Sequence, residues 1–373
     1  MPVDPIELTK TLVRMPSVSS QSNASVSDYV ETLLRDDGFE TERLEYVDAN
    51  GELKVNIIGR KGTGSGGFIM ASHSDTVPGS TWTRNAWEPV IEGERMIGLG
   101  ACDMKGPLAA TMTAAAAYRA VDLKRPIFIV VTSDEEISGE GAKRVTTESR
   151  LIRENPPQHG VIAEPTELVP VYAHKGIARV NVTATGMAAH TSTDRGTSAN
   201  FLIAPFLADM AQLAKTFRAD PTFQNAAFDP PTNGFNLVIN DYGCAVNVTA
   251  AKTTATLGYR PMPDARSEEI AGLIEERARR YGLEITSKTY LPPFYTPPDA
   301  PIVRAALEAS GAGQALTVPY GTDGLHLQDI AQLVVLGPGN IAQAHTDGEW
   351  IELAQITRAV DVYRRMIEML CLA

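Results

Sequence analysis

The chain has 373 residues, 43% of them hydrophobic and 21% charged, which suits a protein with a large core and room for two domains and excludes dominant disorder. Lys and Arg total 33 against 45 Asp and Glu, and no basic run exceeds a pair, so the footprint of a nucleic-acid binder is missing and small molecules are the expected partners. Cys102, Cys244 and Cys371 are too few and too scattered for a disulfide framework. Met1 to Arg14 holds two acids and no apolar run of signal-peptide length, and no stretch nears the ~20 apolar residues of a membrane span. A cytoplasmic protein without membrane contact is expected.

Apolar positions at helical spacing predict helices over Pro5 to Met15 and Ser25 to Asp37, the second capped by Ser25 and stopped at Gly38. Strands follow at Val55 to Ile58 and Phe68 to Ser72. Between them Gly62, Gly64 and Gly67 match the pattern GxGxxG. A dinucleotide site needs a helix after those glycines, and an apolar strand follows instead, so the stretch reads as a turn. Met104 to Ala120 is Ala-rich, without charge between Lys105 and Arg119, and reads as a helix packed on several sides, with Pro107 in its first turn. Ile127 to Thr132 is a β-branched run typical of a central parallel strand. Strand, helix and strand in this order predict an α/β layer.

From about residue 177 the pattern changes. Arg179 to Thr185 alternates as a half-exposed strand does, and a helix from Ser198 to Phe217, strands at Phe235 to Asn240 and Lys252 to Tyr259, a helix at Ser267 to Tyr281 and a strand at Glu284 to Leu291 follow. This predicts a small sheet with helices on one face, inserted into the first domain. Helix Pro301 to Ser310 and the apolar strand Leu333 to Leu336 return to that first domain. The division expected is 1–176 and 292–373 for the α/β domain and 177–291 for the α+β insertion, with the proline-rich Leu291 to Pro301 as the return.

Carboxylates and imidazoles cluster just after the predicted buried strands, where the ends of parallel strands form a cleft. His73 and Asp75, two apart, face the same way and read as a metal ligand and the carboxylate that orients it. Asp103 lies in a Gly-flanked turn, where one carboxylate could bridge two ions. Glu135 and Glu136 diverge as neighbours do, one as ligand and one as base. Glu164 and His345 are further candidates. These N and O donors, with no cysteine nearby except Cys102, suit zinc or a similar divalent ion. Paired ions would activate water and polarise a carbonyl.

The motifs HSDTVP (His73 to Pro78), GLGACDMKG (Gly98 to Gly106), TSDEE (Thr132 to Glu136), AEPT (Ala163 to Thr166), HKG (His174 to Gly176) and GPGNIAQAHTDGEW (Gly337 to Trp350) span the chain in order. They resemble the family of dinuclear zinc amidohydrolases that includes acetylornithine deacetylase, succinyl-diaminopimelate desuccinylase, aminoacylase and the glutamate-releasing carboxypeptidases. The resemblance implies a zinc-peptidase-like catalytic domain with a mixed, largely parallel sheet flanked by helices, plus an inserted lid through which two copies dimerise. It implies two zinc ions per chain, with cobalt or manganese able to substitute. His73 and Glu164 would hold one ion, Glu136 and His345 the other, and Asp103 would bridge them. Asp75 would support His73, and Glu135 would act as base.

The resemblance further implies a cis peptide at Asp103-Met104. His190 matches a histidine that hydrogen-bonds the tetrahedral oxyanion, the other reading being a loop histidine that steadies the lid. Asn247 and Arg260 match positions that hold a substrate carboxylate, and Thr322 and Asp323 match a substrate-side loop; an ordinary structural role is the alternative for each. The sequence departs from the family's usual GEPT at Ala163, from its GRG at Leu99, and from its HxxDE after His345. His159, His174 and His326 are left as structural or substrate-neighbouring.

The function implied is cleavage of the amide bond of an N-acyl amino acid, of the kind used in arginine biosynthesis. A dipeptidase or carboxypeptidase with the same metals is the second reading, and a non-catalytic binding protein on the same scaffold a third.

Overall fold

A computed structural model describes residues 4–372. The outermost residues of the expected domain spans, 1–3 and 373, lie outside it. The chain divides into two compact units: one holds the residues up to Ala173, Thr296–Leu316 and those from Thr322 onward, the other His174–Tyr295 and Thr317–Gly321.

The main elements of the first unit before the insertion are α1 (Pro5–Val13), α2 (Ala24–Asp36), β1 (Glu40–Val47), β2 (Leu53–Lys61), β3 (Phe68–His73), α3 (Gly106–Ala116), β4 (Ile127–Thr132), α4 (Glu140–Glu148) and β5 (His159–Ile162). The second unit has β6 (Ile177–Thr185), α5 (Ala199–Ala219), β7 (Asn236–Asn240), β8 (Lys252–Tyr259), α6 (Ser267–Arg280) and β9 (Glu284–Leu291). Back in the first unit come α7 (Pro301–Ser310), β10 (Gln332–Val335) and α8 (Leu353–Ile367).

The first unit's sheet runs β1-β2-β4-β3-β5-β10. The two leading pairs, β1 with β2 and β2 with β4, are antiparallel, whereas β4, β3, β5 and β10 are parallel neighbours. Every residue of β3, β4 and β5 is buried, which is why these strands read as unbroken apolar runs rather than alternating ones. One face of the sheet, carrying Val55, Ile57, Phe68, Met70, Ile127, Ile129, Val131, Val161 and Val334, forms a single core with α1, α2, α3, α7 and α8. Asn56, which alternates with Val55 and Ile57, points to the other face, where α4 packs.

The Ala-rich helix is buried on all sides over Gly106 to Ala115, as its lack of charge predicts, with Pro107 in the first turn. It begins at Gly106 rather than Met104 because Asp103 and Met104 have non-helical backbone angles; the peptide between them is cis. The cap of α2 also differs from expectation. The helix starts at Ala24 after Asn23, whose side chain is committed elsewhere: it donates to the Val55 carbonyl at 2.8 Å and accepts from the Val55 N–H at 2.9 Å. The Gly62 to Gly67 stretch is followed by β3, so it is the turn its sequence context requires; Gly62, Gly64 and Gly67 all take positive φ.

The second unit is an antiparallel sheet of order β7-β8-β6-β9. Ala178, Val180, Val182 and Ala184, alternate residues of β6, share a core with Phe206, Met210, Leu213 and Phe217 of α5 and Ile270 and Ile274 of α6. Here period-2 alternation in strands and period-3.6 spacing in helices describe the same buried layer.

Close packing places α4 against the loop that leaves β4. A Cβ on Gly141 would stand 2.2 Å from the Ser133 carbonyl oxygen and 2.5 Å from Asn56 Oδ1. Helix propensity alone favours alanine by up to about 1 kcal/mol, so the sign of the substitution reports the packing. Gly141→Ala should lower unfolding stability by about 1–3 kcal/mol in urea titration; an unchanged or raised midpoint would contradict this close approach.

Candidate metal centre

The sheet delivers the site. Strands β3 and β4 pair in parallel with His73 opposite Thr132, so the loops after them, carrying His73, Asp75, Glu135 and Glu136, leave side by side. Strand β5 ends at Ile162, two residues before Glu164, and pairs with the other edge of β3. The loop beyond β10 brings His345, whose φ of 59° lies in the left-handed region.

Asp103 stands at the centre. One of its carboxylate oxygens lies 3.0 Å from His73 Nε2 and the other 3.5 Å from His345 Nε2. His73 Nε2 is also 3.7 Å from Glu164, and His345 Nε2 is 2.8 Å from Glu136. His73, Asp103 and Glu164 are buried, whereas the His345 side chain is 53% exposed. Two groups of side chains are close enough to hold an ion each: His73 with Glu135 and Glu164, and His73 with Asp103 and Glu136.

Electrostatics fit such an ion. Burial, reinforced by Glu164, pushes Glu135 well above the usual carboxylate range; burial and Asp103 do the same to Glu164, and burial raises Glu136. Burial opposes charge on His73, yet its hydrogen bond to Asp103 and the carboxylates of Glu164, Asp103 and Asp75 outweigh that and raise its pKa well above normal. Hydrogen bonds to Asp103 and Glu136 push His345 up to about 10. Four carboxylates thus face two imidazoles, and Glu136 Oε1 is buried without a hydrogen-bond partner among the described residues. A divalent cation offsets such a surplus, and this N and O donor set suits zinc or a similar ion.

Asp75 supports His73 differently from the simplest reading of their spacing. His73 Nδ1 meets the backbone carbonyl of Asp75 at 2.9 Å, while the carboxylate is 3.6 Å away. That carboxylate instead accepts from Ser19 Oγ at 2.6 Å and from the backbone N–H groups of Glu135 and Glu136, each at 3.3 Å. It therefore ties the β3 loop to the β4 loop.

The remaining predicted residues fall in two places. Thr322 and Asp323 belong to the first unit and are buried. Asp323 accepts from Thr132 Oγ1 at 2.5 Å, and burial pushes its pKa up to about 7. His190, Asn247 and Arg260 are exposed residues of the second unit. There His190 bridges to Val248 and the Thr191 N–H donates to the Asn247 carbonyl at 3.0 Å, so His190 and Asn247 lie on adjoining segments. His190 Nδ1 sits 2.7 Å from Ser192 Oγ. Arg260 directly follows β8.

Glu349 is a functional neighbour that the motif reading passed over. It is buried, one oxygen accepting from the N–H groups of Cys102 at 2.7 Å and Asp103 at 3.0 Å, the other from Gly100 at 3.2 Å. Burial, with the Asp103 charge beside it, pushes it up to about 8 against the pull of those three bonds. The only sequence signal is its place four residues after His345. Ser19, in a plain serine-rich stretch, gave none.

A family model described as "Peptidase family M20/M25/M40" matches residues 69–369. An acetylornithine deacetylase of Myxococcus xanthus is 32% identical over 96% of this chain and 96% of its own. Among solved structures, a tripeptidase from Staphylococcus aureus superposes with a TM-score of 0.73 at 18% identity, covering 99% of both chains. An M20 family metallo-carboxypeptidase from Sulfolobus solfataricus gives 0.73 at 15%, covering 98% of this chain and 99% of that one. These two establish likeness of fold.

Because Glu349 holds the backbone on which Asp103 sits, Glu349→Gln, which sets an amide NH₂ among N–H donors, should weaken zinc binding about 10- to 100-fold in a chelator titration. Unchanged affinity would leave Glu349 with only a packing role.

Proposed function

This chain belongs to peptidase family M20/M25/M40, and from that premise we propose that it hydrolyses the amide bond of an N-acyl amino acid, with an N-acetylornithine-like substrate as first choice. Its family and its clustered ligands make it a metal-dependent hydrolase. The observation that carries the site assignment is the buried Asp103 carboxylate, facing His73 with one oxygen and His345 with the other. His73 and Glu164 would hold one ion, Glu136 and His345 the second, and Asp103 would serve both. Two divalent ions, zinc with cobalt or manganese as substitutes, would supply Lewis acidity toward the scissile carbonyl and the attacking water.

The protein's own groups then carry the protons. Glu135, kept by burial with a raised proton affinity, takes a proton from water as its oxygen attacks the amide carbon. The C–N bond breaks as Glu135 returns that proton to the departing nitrogen. A carboxylic acid and an amine result, the acid's proton then passing to the amine so that the products leave as carboxylate and ammonium, and Glu135 is restored. The Glu135 N–H to Asp75 bond fixes the base's backbone. Asp75 thus steadies both His73 and Glu135. His190 would donate to the oxyanion, Asn247 and the Arg260 guanidinium would take the substrate carboxylate, and Thr322 with Asp323 would border the substrate.

The Myxococcus xanthus relative at 32% identity supports the deacylase assignment; a role in amino-acid metabolism, at arginine biosynthesis, is part of the same proposal. The family's peptidase name supports a second reading, cleavage of a dipeptide or a C-terminal residue by the same groups. We take the working protein to be a cytoplasmic homodimer joined through the inserted α+β lid. Support for the interface is the edge strand β7, with Val238 and Ile239 exposed, and the exposed Phe201 of α5. Among the described residues no helix is long and apolar enough to cross a membrane.

Amine release from N-acetyl, N-succinyl and dipeptide substrates tests the reading. Cleavage of the N-acetyl class that a chelator abolishes is expected; preference for dipeptides would select the peptidase reading, and no cleavage of any class would favour a binding protein. Glu135→Gln should cut kcat by about 10²- to 10⁴-fold while retaining metal. Equal turnover in that variant would remove Glu135 from its role.

A further inference from the structure

Outside the ligands, the first unit buries one lysine whose contacts converge on the loops of the site. The Lys54 side chain, on β2, is 1% exposed. Its Nζ donates to the carbonyls of Ser19 at 2.5 Å and Gln21 at 2.9 Å and pairs with Asp134 Oδ1 at 2.8 Å. Asp48 lies further off, at 3.7 Å.

Both arms lead to the Glu135 and Glu136 backbone. Along the first, Ser19 donates its hydroxyl to Asp75, and Asp75 accepts the N–H groups of Glu135 and Glu136. Along the second, Asp134 immediately precedes the pair and takes a left-handed φ of 61°. Its other carboxylate oxygen accepts from Tyr46 Oη at 2.7 Å, and its carbonyl accepts from the N–H groups of Ser138 at 2.9 Å and Gly139 at 2.8 Å. A single ammonium group thus fixes the segment that holds Asp75 and the residue at which the β4 loop turns.

Stability alone is a poor reason for this arrangement. A buried ion pair loses solvation that its attraction barely repays, and an apolar pair of similar volume often serves stability as well or better. What the pair does supply is direction: the Ser19 and Gln21 carbonyls of one segment and the Asp134 carboxylate must meet one Nζ. We propose that Lys54 is a positioning residue that, through Asp134 and through Ser19 and Asp75, sets the placement of Glu135 as base and Glu136 as ligand. The proposal rests on the hydrolase reading for those two roles.

The test compares wild type with K54M/D134N, which removes both charges together and places asparagine, a residue tolerant of left-handed φ, at 134. Y46F, which keeps the ring and every charge while removing one bond to Asp134, is the second variant. For folded K54M/D134N, zinc affinity by chelator competition should weaken about tenfold, and kcat should fall about tenfold or more with KM within about threefold. In an E135Q background, assayed at zinc concentrations that saturate both proteins, the same double substitution should lower residual turnover by less than about threefold, because the base is already gone and the weakened Glu136 site is filled. Y46F should lower kcat about three- to tenfold.

Zinc affinity and kcat both within about twofold of wild type in folded K54M/D134N would overturn the proposal. So would a kcat loss carried in full into the E135Q background. If K54M/D134N does not fold, Y46F decides: wild-type kcat and zinc affinity there overturn it. Should wild type itself cleave no substrate, the hydrolase reading fails separately, and the zinc affinities alone decide the role of Lys54.

Discussion

Like charges buried together repel without the screening that water provides, and this protein brings Asp75, Asp103, Glu135, Glu136 and Glu164 to one edge of a parallel sheet. The surrounding structure is arranged around that constraint. Three carboxylates are held by donors or a cation: Asp75 takes Ser19 and two backbone amides, Asp134 takes Tyr46 and pairs with Lys54, and Glu349 takes three amides. Strands β3, β4 and β5 are wholly buried and cannot shift to relieve the repulsion, so they act as a rigid frame. Burial leaves Glu135 and Glu164 with raised proton affinities, whereas the hydrogen bonds of Asp103 to His345 and His73 outweigh burial and lower its own; the first two are the groups a cation would stabilise most.

His73, Glu135, Glu136 and Glu164 could be singled out from sequence because each sits at the end of, or just after, a strand that announces itself by burial, whereas Asp103 and His345 stand further from any such strand. His73 closes Phe68 to His73, Glu135 and Glu136 follow Ile127 to Thr132, and Glu164 follows His159 to Ile162, so linear position and spatial position coincide. The fold class was legible for the same reason, as continuous apolar runs gave way to alternation near residue 177. What escaped were residues whose role lies in a contact with a distant segment. Glu349 binds backbone at Gly100 to Asp103, and Ser19 and Lys54 act on loops more than fifty residues away. Backbone amides have no sequence signature, so a carboxylate or hydroxyl that serves them looks like any surface polar group. The same limit explains the Asp75 result: spacing puts residues 73 and 75 on one side, but does not say whether carbonyl or carboxylate takes the imidazole.

The two units divide their chemistry. The first concentrates carboxylates under cover, whereas His190, Asn247 and Arg260 in the second are exposed residues beside an apolar cluster shared by β6, α5 and α6. Groups that hold a cation need preset spacing and a dry setting.

The order of the chain has a consequence for biosynthesis. The strands that lead to His73, Glu135, Glu136 and Glu164, together with Asp103, are translated before the α+β insertion, while β10, His345 and Glu349 come after it. Until that last segment emerges from the ribosome, Asp103 lacks both the imidazole on its second oxygen and the carboxylate that holds its backbone amide. Both groups of side chains close enough to hold an ion, His73 with Glu135 and Glu164 and His73 with Asp103 and Glu136, are already synthesised by then. What the last segment contributes is closure around Asp103: an imidazole at its free oxygen and a carboxylate on its backbone.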